Sequence, residues 1–375
     1  MGVNGVQGFE KLSAPISVFL NMTQECNMRC TYCYAEAERP RRRQENEMTD
    51  EEYLGLVDQL IEARVFKYAI TGGEPFLRRD LVFEILDRIA NRGHVMLFTN
   101  ATMIREEDAR RLATFPGRFK AFVSIDAPVE EVNAVTRGKG FLKKTMRGVK
   151  RLMDQGLVPD INCVLSRVNY KLIPLLIDFL KEHRLKTLHI IHFQPLGYGA
   201  ELTQELALRP QEKIAFSSMV EQLSRTEKEV EVVAQDDENW SGFEEIHSKC
   251  QSCGQEEGKP DHLLPCSAGA EQCNITADGW VTPCNYMLSY RCGNVREKPF
   301  LDIWHNSPEL QRIRHLRKVP VTAVPECSDC KYNIFCRGGC RAIGLVTSGS
   351  LLGLDISCPY YESQSSSAIH LPLIH

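Results

Sequence analysis

Short apolar, β-branched runs alternate with amphipathic stretches along the first two thirds of the chain. In PISVFLNMT (15–23), Ile16, Val18 and Leu20 alternate with Ser17 and Phe19, which predicts a strand. Thr49 followed three residues later by Glu52 forms a capping box, and Leu54, Leu56, Val57, Leu60 and Ile61 then lie mainly on one helical face. A second strand, KYAIT (67–71), ends in Gly72-Gly73-Glu74-Pro75, where two glycines permit a tight turn that brings backbone close to a ligand. The pattern predicts further helices near 80–91, 105–114, 141–155 and 170–183, and strands over 94–100, 119–126, 160–166 and 187–195.

Six strand–helix units, or nearly so, with apolar strands imply a parallel sheet, either open or curled into a barrel. Such folds place their sites in the loops after the strand C-termini. The polar motifs fall there. A cysteine triplet follows the first strand, Gly72-Gly73-Glu74 the second and Asn100 the third, while Ser124 and Asp126 close the fourth.

Charge narrows the partners. With 45 Lys+Arg against 49 Asp+Glu the net charge is −4, which excludes a generally cationic surface and hence nucleic acid as the main partner. The basic run Arg39–Arg43 reads as a solvated loop over the barrel mouth. No run approaches the ~18 apolar residues of a membrane span, and MGVNGVQGFEKLSAP lacks a signal-peptide pattern, so a cytoplasmic, membrane-free protein is expected.

Fifteen cysteines, an odd number in a reducing compartment, argue for thiolate metal ligands over disulfides. Cys26, Cys30 and Cys33 form one C-x3-C-x2-C triplet, Cys163 stands alone on a strand as a buried thiol, and the other eleven lie between Cys250 and Cys358. Three thiolates leave one coordination position open, as a catalytic centre requires; the alternative is a zinc knuckle with a remote fourth ligand.

CNMRCTYC (26–33), with an aromatic before its last cysteine and TGGEP (71–75) downstream, resembles the radical S-adenosylmethionine (SAM) enzymes over nearly the whole chain. The resemblance implies a partial (β/α)6 TIM-like barrel over 1–240, with a [4Fe–4S] cluster on Cys26, Cys30 and Cys33 whose open iron is chelated by SAM. It implies that Tyr32 packs by the adenine, that Gly72, Gly73 and Glu74 approach the methionine amino group, and that Asn100, Ser124 and Asp126 contact SAM. Where the family has glycine after Asn100, this chain has Ala101.

The C-terminal cysteines resemble the SPASM extension, through CSAG, ADGWVTPC and CGNV (266–269, 277–284, 292–295) and the closing C-x2-C-x5-C-x3-C. That similarity implies a small cysteine-rich domain, with its linker, over 241–364, followed by a tail at 365–375. It implies two auxiliary [4Fe–4S] clusters, three in all: an inner one on Cys266, Cys273, Cys284 and Cys340 and an outer one on Cys327, Cys330, Cys336 and Cys358. Should Cys273 not be a ligand, one inner iron is open to substrate; a pair of zinc ribbons is the alternative. Cys250, Cys253 and Cys292 are left without assignment.

The implied reaction is reductive SAM cleavage to a 5′-deoxyadenosyl radical that abstracts a substrate hydrogen. Auxiliary clusters suit a net oxidation, because they can accept the substrate radical's electron. Sulfatase-maturing members carry an acidic residue where this chain has Asn285, which cannot take a proton, so that activity is disfavoured. Tyr286, Tyr290 and Asn285 are candidates to contact substrate. Oxidative modification of a peptide, as a crosslink or dehydrogenation, is the first expectation. Only about fifteen residues precede the first strand, so a peptide-recognition protein would be separate. The second expectation is a dehydrogenase or epimerase of a sugar, aminocyclitol or haem-type tetrapyrrole, and the third a non-catalytic redox-sensing protein. A flavodoxin or ferredoxin is the expected reductant.

Overall fold

The computed structural model describes residues 12–37, 46–115, 117–234 and 266–358. The basic run Arg39–Arg43, Cys250, Cys253, the linker and the C-terminal tail lie outside the described residues.

The six predicted strands are present as β1 (Ser17–Asn21), β2 (Lys67–Thr71), β3 (His94–Thr99), β4 (Phe119–Ser124), β5 (Asp160–Leu165) and β6 (Thr187–His192). A short β7 (Glu231–Ala234) follows β6. They pair in parallel in strict chain order, without the reversal that marks a doubly wound sheet. This is the order of a partial (β/α)6 barrel. Alternate residues such as Val95, Leu97 and Thr99 are buried beneath the helices. On the opposite face Phe98 stacks on Phe122 at 4.8 Å, and Phe122 meets His189 at 5.2 Å.

The helices follow from the sequence in most places. Helix α1 (Asp50–Glu62) starts at the expected capping box, with Thr49 Oγ1 accepting from Glu52 N–H at 3.2 Å and the Glu52 carboxylate accepting from Thr49 N–H at 2.7 Å. It buries Tyr53, Leu56, Val57 and Leu60. Helices α2 (Arg79–Ile89) and α3 (Glu106–Leu112) lie within a residue or two of expectation. Helix α4 (Glu130–Arg137) was not signalled by periodicity, because its buried side chains Asn133, Thr136 and Arg137 are polar. Helix α5 (Phe141–Asp154) buries Leu142, Thr145, Gly148, Val149 and Leu152. The helix expected over 170–183 opens as a 3-10 turn and becomes α6 (Ile173–Glu182) with Pro174 in its first turn, where a missing N–H costs nothing.

Beyond residue 266 the chain returns to the same sheet. β8 (Gln272–Ile275) runs parallel to β1 on its free side, pairing Val18 with Cys273, and β9 (Val281–Thr282) closes the edge antiparallel to β8. Arg296 fastens this cysteine-rich part to the start of α1, donating to both Glu52 carboxylate oxygens at 3.0 and 2.9 Å and to the Asn46 carbonyl at 2.7 Å. Among the described residues no helix is long and apolar enough to cross a membrane.

Candidate active site

The cysteine loop leaves the end of β1 and lies directly on the β2 turn. Gly73 N–H donates to Thr23 O at 2.7 Å and Glu74 N–H to Glu25 O at 2.9 Å. A Cβ on Gly73 would overlap the Glu25 carbonyl, and Gly72 has φ +128° with Thr23 O pressed against it. The two glycines therefore exist first for this close approach of backbones. Glu74 is buried and its carboxylate accepts from Thr99 Oγ1 at 2.7 Å, Asn100 N–H at 2.9 Å and Phe76 N–H at 3.2 Å. Burial pushes its pKa up, against the pull of these donors. It ties the ends of β2 and β3 beneath the cysteine loop.

Asn100 holds the loop from the β3 side. Its Nδ2 donates to Asn27 Oδ1 at 2.9 Å and lies 3.9 Å from Cys26 Sγ, while its Oδ1 accepts from Thr102 N–H at 2.9 Å. Ala101, in the family's glycine position, has φ +58°, the left-handed region that explains why glycine is usual there.

Asp126 is the hub on the β4 side. At 2% exposure, its carboxylate accepts from Tyr32 OH at 2.6 Å, Thr136 Oγ1 at 2.7 Å, Arg137 Nη2 at 2.9 Å and Val164 N–H at 3.0 Å. Arg137, itself buried, places Nη1 3.9 Å from Cys30 Sγ and its guanidinium 5.6 Å from the Tyr32 ring centroid. Burial opposes its charge, but Asp126 outweighs it, so its pKa is raised. Ser124 is half-buried at the end of β4, paired with Asn162, and its hydroxyl has no partner among the described residues. Arg137 was missed from sequence, since a lone arginine in a polar helix carries no signal.

The chemistry of these thiols fits an iron–sulfur cluster. Cys26, Cys30 and Cys33 are free and mutually within electrostatic reach, and burial pushes Cys26 up to about 12 and Cys30 to about 11. Metal charge is what would draw such thiols into the thiolate form. Two N–H groups, from Asn100 and Arg137, already face the sulfurs of Cys26 and Cys30. Among the described residues no three His, Cys, Asp or Glu side chains converge on one ion. A cluster needs no such convergence, since each thiolate ligates its own iron.

The C-terminal thiols form two groups. Cys327 lies within electrostatic reach of Cys330 and Cys358, and Cys336 of Cys358 and Cys327. Cys284 interacts with Cys266 and Cys340. Cys273 does not join this trio. As the partner of Val18 it points into the fully buried side of the sheet, where its thiol neighbour is Cys292 and its charged neighbour Arg314. Strand alternation puts it there: Cys273 shares a face with Ile275 in the main apolar core. Cys163, on β5, is fully buried beside Asp126 O and Asn169.

The triplet loop and the Cys284 loop meet. Tyr34, next to Cys33, contacts Tyr286 edge to face with centroids 5.2 Å apart, and the Asn285 side chain hydrogen-bonds both phenols. Burial raises both phenol pKa values, so this seam is uncharged. Tyr290 instead packs against both apolar clusters and bonds Arg312. Tyr34 was not singled out from sequence, although its place after Cys33 could have marked it. A cleft beside Gly72 and Gly73 is lined by Asn21, Thr23, Asp278, Trp280 and Arg291, bringing the ends of β1 and β2 to the β8–β9 turn.

The profile of the radical SAM superfamily matches residues 20–187, and that of the SPASM iron–sulfur cluster-binding domain matches 266–331. The chain belongs to the radical SAM superfamily. This radical SAM/SPASM enzyme binds SAM and iron–sulfur clusters. It is similar to Fe-coproporphyrin III synthase of Methanosarcina barkeri, 28% identical over 95% of this chain and 92% of that one. It is also similar to mycofactocin maturase MftC of Mycobacterium ulcerans, 28% identical over 94% of this chain and 90% of that one. Among solved structures, Streptococcus suis SuiB bound to S-adenosylmethionine shares the fold, with a TM-score of 0.73 at 20% identity over 93% of this radical SAM chain and 78% of SuiB.

Proposed function

We propose that the enzyme carries out oxidative radical modification of a peptide, with Cys26, Cys30 and Cys33 holding the SAM-binding cluster. When bound, that cluster and SAM supply a 5′-deoxyadenosyl radical able to take a hydrogen atom. The carrying observation is the seam of Tyr34, Asn285 and Tyr286, which joins the triplet loop to the loop of Cys284. A substrate bound there lies between the two sets of thiols. Cys266, Cys284 and Cys340 hold the inner auxiliary cluster and Cys327, Cys330, Cys336 and Cys358 the outer one, giving three clusters in all. With Cys273 turned into the core, the inner cluster keeps an open iron.

Gly72 and Gly73 border the SAM methionine group, while Ser124 offers its unused hydroxyl. In this reading Tyr32, Glu74, Asn100 and Asp126 fix the loop that presents the thiols, and their polar atoms are engaged within the protein. Asn285 stays neutral, so the site offers no carboxylate base where the sulfatase-maturing members have one. The maturase named among the relatives supports a peptide substrate.

A second reading, an iron-porphyrin substrate, is supported by the similarity to Fe-coproporphyrin III synthase over nearly all of both chains. The two separate on one assay. The reconstituted enzyme, reduced in the presence of SAM, is given host peptide fractions, host small-molecule fractions or iron coproporphyrin, and 5′-deoxyadenosine is measured. Stimulation by the peptide fraction alone supports the proposal. Stimulation by iron coproporphyrin or the small-molecule fraction alone replaces it with the second reading.

A further inference from the structure

The first turn of α5 and the end of α4 cover the triplet loop. Thr31 N–H donates to Thr136 O at 2.8 Å, Arg137 reaches Cys30, and Phe141 packs against the apolar cluster that contains Cys26, Met28 and Ala37, together with Cys30 and Cys33. The outer face of this cover is strongly basic. Lys139, Lys143, Lys144, Arg147 and Lys150 are all exposed, and Arg29 is exposed within the cysteine loop itself. Lys150 pairs with Asp154 at 2.7 Å. Among the described residues Arg29, Lys139, Lys143, Lys144 and Arg147 have no ion-pair partner, and Lys144 rests over the Phe141 ring at 4.8 Å.

Of the two acidic side chains in the first turn of α4, Glu131 is exposed and Glu130 is engaged by backbone. The Glu130 carboxylate accepts from the backbone N–H groups of Gly140 and Leu142, closing the α4–α5 turn. Two apolar side chains, Val129 at 45% and Val135 at 51% exposure, stand on the same cover. On a chain of net charge −4, a run of unpaired cations beside exposed valines is a local inversion of the surface. Exposed apolar side chains together with cations are the make-up of a docking patch. Positive charge steers an acidic partner and sets its orientation more than it sets affinity.

We propose that this α4–α5 face docks a small acidic one-electron carrier protein, which reduces the cluster held by the triplet through the thin cover of Thr136, Arg137 and Phe141. One electron leaves the reduced carrier, which is oxidised by one unit, and enters the cluster, which is reduced by one unit; no bond forms or breaks. Nucleic acid is a poor occupant, because the patch is a small local feature on a chain of net charge −4. The proposal rests on the reading that Cys26, Cys30 and Cys33 hold a reducible cluster.

The test compares wild type with Lys143→Glu/Lys144→Glu/Arg147→Glu, and with the milder Lys143→Gln/Lys144→Gln/Arg147→Gln should the first fold poorly. Cluster reduction is followed anaerobically by stopped-flow absorbance, with either a reduced flavodoxin-type carrier or dithionite as donor. At low salt the expected rate with the carrier falls by about tenfold or more in the Glu variant and less in the Gln variant. The dithionite rate is unchanged, and raising salt slows the wild-type reaction with the carrier. Equal carrier rates in all three proteins, or equal losses with both donors, overturn the docking face. If the wild type takes no electron from either donor, the reading of the triplet has failed instead.

Discussion

Tyr34 meets Tyr286 edge-on at 5.2 Å between ring centroids, and through this contact the residue next to Cys33 touches the loop of Cys284. The pair sets how the two cysteine loops face one another, with Asn285 hydrogen-bonded to both hydroxyls. Tyr286→Phe keeps the ring contact and is expected to cost about 1 kcal/mol of stability. Tyr286→Ala removes a partly buried ring and is expected to cost about 2 kcal/mol or more. Chemical denaturation of the two variants measures this difference, and equal losses would deny the ring its bridging role.

The Asp126 carboxylate balances a buried guanidinium while fixing Tyr32 and the triplet loop. In Asp126→Asn, Arg137 loses its counter-charge in a site where an uncompensated charge costs about 3–5 kcal/mol. The expected result is a large fall in stability, together with loss of the iron held by the triplet and retention of C-terminal iron. Calorimetry and iron analysis per chain check both. A stable variant with full iron would show that Asp126 does not organise the loop.

Gly73 touches the Glu25 carbonyl so closely that no side chain fits. Gly73→Ala is expected to push the cysteine loop off the β2 turn and abolish SAM binding, while Gly55→Ala on exposed α1 surface, where nothing lies within 4 Å, should leave it intact. Equilibrium binding of SAM to the reconstituted proteins distinguishes them.

Cys273 lies in the main core, whereas Cys284 lies in reach of Cys266 and Cys340. Cys273→Ala is expected to retain all auxiliary iron and lose about 1 kcal/mol from a small buried void. Cys284→Ala is expected to lose the inner cluster, read as iron per chain and as one fewer electron paramagnetic resonance signal on reduction. Loss of a cluster in Cys273→Ala would place that thiol among the ligands.

The barrel was legible because its strands are short, apolar and regularly spaced, so Val95, Leu97 and the capping box of Thr49 and Glu52 announce their elements. Helix α4 was not, since burial of Asn133, Thr136 and Arg137 serves hydrogen bonding to the cysteine loop and leaves no apolar stripe. Cysteine spacing singled out candidate thiols but carries no information on which way each one faces. The pairing of Cys273 with Val18 sets it in the main core, with Cys292 and Arg314 as its neighbours. The return of β8 to the barrel sheet was hidden for the same reason, as pairing between strands distant in sequence leaves no local pattern.

If the triplet holds the cluster at which SAM is cleaved, cleavage depends on Cys30. Wild type and Cys30→Ala, reconstituted anaerobically with iron and sulfide, are compared for 5′-deoxyadenosine formed from SAM under dithionite. Formation by wild type and none by Cys30→Ala is expected, with the C-terminal iron retained in the variant. Equal formation by both proteins, or none by fully iron-loaded wild type with every substrate fraction supplied, would contradict it.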